Sequence, residues 1–262
     1  MGLFDKIEMP DVSKIIVVAS GKGGVGKSMV SANLAIALAR EGLNVALVDA
    51  DIYGPSIPRM FGIEDQKPGV AGSGDTQLMS PIKKFGVKTM SIGFLIEKDK
   101  GLIWRGPMAS GVLKQLFENT NWGPIDYMIV DFPPGTGDIQ LTTVQKLNLH
   151  GAIIVTTPQQ IAINDARKAA SMFANPGLNV PVLGVIENMS WFSPSQHPEE
   201  KYYLFGKGGG ALLASEINVR LLAQIPLIME LGESAELGEN IFDKENESVI
   251  HIFDQIAGQL IE

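Results

Sequence analysis

The chain has 262 residues, 45% of them hydrophobic and 19% charged, and a formal net charge of −8. That size and balance suit one soluble α/β domain, and an acidic chain with only a small basic cluster, Lys83-Lys84, argues against a nucleic-acid footprint. No apolar run approaches ~20 residues, so no membrane helix is expected, and the lack of cysteine removes disulfides, thiol catalysis and Cys-ligated metal.

In chain order, Met1-Gly2-Leu3-Phe4-Asp5-Lys6 has no long apolar core and carries Lys6 where a myristoylation pattern needs Ser or Thr. These features predict a cytoplasmic protein. Residues 14–19 form a short buried strand. Gly21-Lys22-Gly23-Gly24-Val25-Gly26-Lys27-Ser28 follows and fits the phosphate-loop pattern G-x-x-x-x-G-K-[ST]. Glycines let consecutive N–H groups turn inward as an anion nest, and the next helix adds its dipole. Lys27 would reach the β/γ-phosphates of a nucleotide and Ser28 would ligate Mg²⁺. Lys22 is a second lysine within the same loop. The helix over 28–41 places Leu34, Ala35, Leu38 and Ala39 on one face and stops at Gly42.

Further strands are predicted at 44–48, 89–94, 127–130, 152–156, 182–186 and 222–225. Helices are predicted at 105–119, 138–149, 161–174, 208–217 and 247–260. This alternation makes βαβ units, hence a doubly wound, mostly parallel sheet flanked by helices. Segments 66–75 and 193–201 read as surface loops, too short to separate domains, so residues 1–262 form a single domain. The last helix is amphipathic but acidic, which suits packing on its own sheet better than membrane binding.

Ligands in such sheets bind at the carboxyl ends of strands. Val45-Ala46-Leu47-Val48 runs into Asp49-Ala50-Asp51, and Tyr127-Met128-Ile129-Val130 runs into Asp131. Asp131 is the expected Walker-B carboxylate ordering the Mg²⁺ shell. Asp49 and Asp51, two apart on extended backbone, point the same way, and both could face the γ-phosphate. Asp49 joins Ser28 and Asp131 as a candidate metal residue, and Asp51 is expected to orient the attacking water. Asp138 reads as a helix N-cap, and Gly135-Thr136-Gly137 as a segment that feels the γ-phosphate. His150, His197 and His251 form no close-spaced metal pair.

The loop Gly21 to Ser28, with its early lysine, resembles the deviant Walker A loop of the MinD/ParA-type ATPases. Asp49-Ala50-Asp51-Ile52-Tyr53-Gly54-Pro55-Ser56, Trp104-Arg105-Gly106-Pro107-Met108 and Asp131-Phe132-Pro133-Pro134-Gly135-Thr136-Gly137-Asp138 narrow it to the Mrp/ApbC branch of iron–sulfur cluster carrier ATPases. Glu187-Asn188-Met189-Ser190 and Phe205-Gly206-Lys207-Gly208-Gly209-Gly210 are similar to that branch too. The resemblance implies a P-loop NTPase using ATP and Mg²⁺, and a homodimer closing face to face over two ATP molecules. It implies that Lys22 reaches the partner's phosphates, that Asp51 positions water, and that Asn188 contacts adenine. It also implies iron–sulfur apoproteins or assembly factors as partners, and neither membrane nor nucleic acid. A MinD/ParA-like nucleotide-gated interaction switch with no cluster cargo is the alternative.

One departure is plain. The branch carries C-P-x-C after the E-N-M-S stretch, where this chain reads Phe192-Ser193-Pro194-Ser195-Gln196-His197-Pro198. The cysteine positions fall on Pro194 and His197, or on Ser193 and Gln196 with a one-residue shift. Neither pair supplies the thiolates a cluster needs.

Overall fold

Ile15 to Ala19 carry no polar residue because both faces of their strand are covered. The computed structural model describes residues 6–72, 77–95, 106–244 and 246–262. In it this run forms most of β1 (Val12–Ala19), inside an eight-stranded sheet. With β2 (Val45–Asp49), β5 (Ile82–Lys84), β6 (Val87–Ser91), β7 (Ile125–Asp131), β8 (Gly151–Thr156), β9 (Val182–Asn188) and β10 (Arg220–Ile225), the order is β10-β9-β8-β1-β7-β2-β6-β5. All neighbours pair in parallel except β5, which runs antiparallel to β6 at one edge. β3 (Gly69–Ala71) and β4 (Leu78–Ser80) make a separate antiparallel pair.

Alternate residues of β1 enter two cores. Ile15, Val17 and Ala19 face α3 (Gly106–Glu118), α4 (Asp138–Lys146), α5 (Gln160–Phe173) and α6 (Gly209–Glu216). Ile16 and Val18 face α1 (Lys27–Arg40), α2 (Ile57–Met60), α7 (Met229–Leu237) and α8 (Glu247–Ile261). Helices thus cover both faces of a mostly parallel sheet, as the sequence predicts. α8 buries Val249, Phe253, Ile256 and Leu260 in that second core, so the acidic amphipathic C-terminus does pack on its own sheet. Tyr127 Oη donates to the Leu260 carbonyl at 2.9 Å.

Several boundaries differ from expectation. The strand predicted at 89–94 ends at Ser91, because Ser91 Oγ accepts from Gly93 N and starts a 3₁₀ turn over Ile92–Phe94. Part of the loop predicted at 66–75 is β3. Asp138 is the first residue of α4 rather than its cap; Gly137 holds the cap position, and the carboxylate still lies in the first turn, where the helix dipole favours it. Helices α2 and α7 were not anticipated. Trp104 and Arg105 lie outside the described residues.

Candidate functional site

β1, β2 and β7 are adjacent through β7, and their carboxyl ends deliver the glycine loop, the Asp49-Ala50-Asp51 turn and Asp131 to one edge of the sheet. Register pairs Asp49 with Asp131 directly. The glycine loop turns through two left-handed residues, Gly24 at φ 81° and Gly26 at φ 82°, and Gly26 caps α1. Only glycine adopts such angles at little cost. Gly26 has a second constraint, since a Cβ there would stand 2.2 Å from Asn188 Nδ2.

Beneath the loop lies a cavity of about 220 Å³ lined by Lys22, Gly24, Lys27, Ser28, Asp51 and Pro134, among others. The Lys27 ammonium donates to Asp131 Oδ1 at 2.9 Å and to Ser28 Oγ at 3.3 Å, and stands 3.5 Å from Asp51 Oδ2. Burial works against its charge, but Asp131, with Asp51 and Asp49, outweighs burial and holds the ammonium above its ordinary range. Ser31 Oγ also donates to Asp131 Oδ1, at 2.7 Å. Asp131 Oδ2 is buried and has no hydrogen-bond partner among the described residues.

Asp49 is fully buried. Its Oδ2 accepts from Ser91 Oγ at 2.9 Å and from Ile57 N at 3.2 Å, and its Oδ1 accepts from Asp51 N at 3.3 Å. Burial, reinforced by the charge of Asp131, pushes its carboxyl up to about 8. Asp51 is more open, and its Oδ1 accepts from Tyr53 N at 3.2 Å. Burial raises its pKa as well, against the opposing pull of Lys27.

The three candidate carboxylates and Lys27 are therefore brought together, with Ser28 beside them. Lys22 sits half-exposed at the rim, its carbonyl accepting from Ser20 Oγ at 2.9 Å. Asn188 arrives from the end of β9, only 1% exposed, and donates through Nδ2 to the Val25 carbonyl at 2.8 Å. Gly135 N donates to the Ser20 carbonyl at 2.9 Å, which ties the segment after Asp131 to the residue before the glycine loop.

Two side chains that sequence reasoning missed hold this cluster. Ser31 lies four residues after Lys27, so one helical turn stacks the two on one face; that spacing was available in the sequence. Ser91 stands beside Asp49 through the β2–β6 register, which no local pattern reveals.

Far from this edge, a larger groove of about 620 Å³ between α5 and the start of β9 is lined by Ala170, Val180, Val182 and Ile217 and by no titratable side chain. The segment at the family's cysteine positions is closed by mutual backbone bonds between Phe192 and Tyr202, at 2.9 and 2.8 Å. Within it His197, Glu199 and Glu200 each bring one ligand atom within 4.8 Å of the others, all three exposed. An imidazole and two carboxylates do not fit an iron–sulfur cluster, which is held by thiolates.

Comparison with known proteins gives the family and the fold. A ParA family model described as NUBPL iron-transfer P-loop NTPase matches residues 11–261. A relative from Synechocystis named iron–sulfur cluster carrier protein is 46% identical over 261 residues, covering 98% of this chain and 73% of its own. A nucleotide-binding protein from Archaeoglobus fulgidus, solved in complex with ADP, is 38% identical with a TM-score of 0.75 over 87% of each chain. The cell division ATPase MinD of Pyrococcus furiosus, 22% identical, superposes with a TM-score of 0.65 over 95% of this chain and 98% of that one, a likeness of fold.

Proposed function

Because the chain belongs to the ParA-type family of iron-transfer P-loop NTPases, we propose that it binds and slowly hydrolyses ATP, with Mg²⁺, as a homodimer of the iron–sulfur cluster carrier type. The observation that carries this reading is the convergence of Lys27, Ser28, Asp51 and Asp131 under a left-handed glycine loop. All 262 residues act as one ATPase domain.

The residues fit a magnesium nucleotide. Two carboxylates, Asp51 and Asp131, flank one ammonium, with the raised Asp49 behind them, an excess of acid that a divalent cation balances. The orphaned Asp131 Oδ2 and the Ser28 hydroxyl are the groups that would hold Mg²⁺. When bound, Mg²⁺ supplies charge stabilisation at the β/γ-phosphates.

The chain's own groups do the rest. Loop N–H groups of Gly21, Gly23, Gly24, Val25 and Gly26 cradle the phosphates. Lys27 leaves Asp131 for the β/γ-phosphates. Asp51, with its raised pKa, orients the attacking water and accepts a proton from it more readily than an ordinary carboxylate. Asp49 braces the Asp51 turn and the start of α2 rather than ligating metal, since both its oxygens already accept hydrogen bonds. Lys22, at the rim, serves the partner subunit's phosphates in trans. Lys27→Ala should abolish ATP binding in calorimetry; retained binding would sink the phosphate-loop reading.

A second reading is favoured by the missing thiolates: a nucleotide-gated switch of the MinD/ParA kind, whose output is partner binding. Anaerobic reconstitution with iron and sulfide tests whether the chain itself holds a cluster. We expect no stable cluster absorbance; a robust cluster would return the cargo to this chain.

A further inference from the structure

We propose that Asn188 is a positioning residue for the phosphate loop, so that affinity for the triphosphate itself depends on it whatever base is attached. This rests on the reading of Gly21 to Ser28 as the triphosphate cradle. In an anion nest the N–H groups face the ligand, and the carbonyls must turn away and find partners of their own. Val25 lies between the two left-handed glycines, where the backbone is least restrained. Its carbonyl accepts from Asn188 Nδ2 at 2.8 Å. The carbonyl of Val25 and the N–H of Gly26 belong to one planar trans peptide and point in opposite directions. Fixing the carbonyl therefore fixes the Gly26 N–H toward the cavity.

The support behind Asn188 is unusually stiff. Met189, the next residue, is held at φ 54°, a left-handed angle costly for its side chain. Ser190 N donates to the Ile225 carbonyl at 2.9 Å, and Ser190 Oγ to the Glu187 carbonyl at 2.8 Å. The buried Glu187 carboxylate in turn accepts from Gln224 Nε2 at 2.7 Å and from Gly210 N at 2.5 Å. A strained residue maintained by such bracing aims the carboxamide at the loop. The loop contact uses Asn188 Nδ2, so a base contact through Oδ1 would use a different atom.

The test is calorimetry of ATP, GTP and inorganic tripolyphosphate, each with Mg²⁺, on the wild type and Asn188→Ala. We expect all three Kd values to rise by a similar factor, roughly tenfold, the cost of one buried carbonyl left without its donor. Loss of ATP affinity with unchanged tripolyphosphate affinity overturns the proposal and leaves Asn188 a base reader. Unchanged binding of all three overturns it too. A wild type that binds none of the three removes the phosphate-loop reading, and the proposal with it. Should Asn188→Ala fail to fold, Asn188→Leu fills nearly the same space without a donor for the Val25 carbonyl. About tenfold weaker binding of all three ligands is then expected, and unchanged binding overturns the proposal.

Discussion

Asp131 shows how much one strand-end residue is asked to do. Its Oδ1 takes donors from Lys27 and Ser31, one turn apart on α1, while Oδ2 faces no donor. Its neighbour Asp49 carries the largest consequence for pH. Its folded-state pKa, pushed up to about 8, stands above the ordinary carboxylate value of 3.8. A group raised in this sense stabilises the fold while protonated, and that stability is lost as pH rises through the folded value. Nucleotide-free protein should therefore unfold at lower urea as pH climbs from 4 to 8, by at most about 1.4 kcal/mol per pH unit from this group, and the decline should level off above the folded value. The groups facing Asp49 are Asp131, Lys27 and Asp51, and Asp51, raised as well, adds a slope of the same sign. Asp49→Asn should flatten most of the decline; an unaltered slope would place its source elsewhere.

At the scale of elements, α2 connects the Asp51 turn to the outside of the molecule. Its first N–H is held by Asp49, and its last residue, Met60, lines the phosphate cavity. Just beyond it, Gly62 meets Gly238 at the end of α7, both at left-handed angles, φ 60° and 67°. A Cβ on Gly238 would stand 2.4 Å from Gly62 Cα. Gly238→Ala should cost roughly 2–3 kcal/mol in urea unfolding, through backbone strain and overpacking together, and should weaken ATP binding as α2 shifts. Stability unchanged within error would show that the two helices tolerate separation. Neither helix was legible in the sequence. α2 is a four-residue turn opened by Ile57-Pro58, and α7 carries Gly232 amid polar residues with only Leu231 and Ser234 buried. The long buried strands and α1, α5 and α8 were legible because their apolar pattern is continuous or strongly periodic. Asp49, Asp51 and Asp131 were legible as strand ends, but which of their oxygens remain free depends on Ser31, Ser91 and Ile57, brought in by register and helix packing.

For the whole molecule, the decisive question is whether Lys22 works across a dimer. Lys22→Ala should spare ATP binding and lower turnover, as should Asp51→Ala. Mixed, they should recover activity, since a mixed dimer holds one site with both an intact Asp51 and an intact Lys22 from the other subunit. Random pairing gives roughly a quarter of wild-type turnover. No recovery at any ratio would confine Lys22 to its own subunit. The parked Lys27 has a consequence of its own for what such a dimer can take up. With the ammonium on Asp131 Oδ1, a lone cation meets a carboxylate whose charge is already offset even though Oδ2 is open, and a bare triphosphate meets the carboxylates of Asp51 and Asp131. On the proposed reading a metal–nucleotide complex would answer both objections at once: Lys27 would turn to its phosphates, and Asp131 would be left to hold its cation. The resting site is thus biased toward admitting the pair as one guest and turning away either half alone.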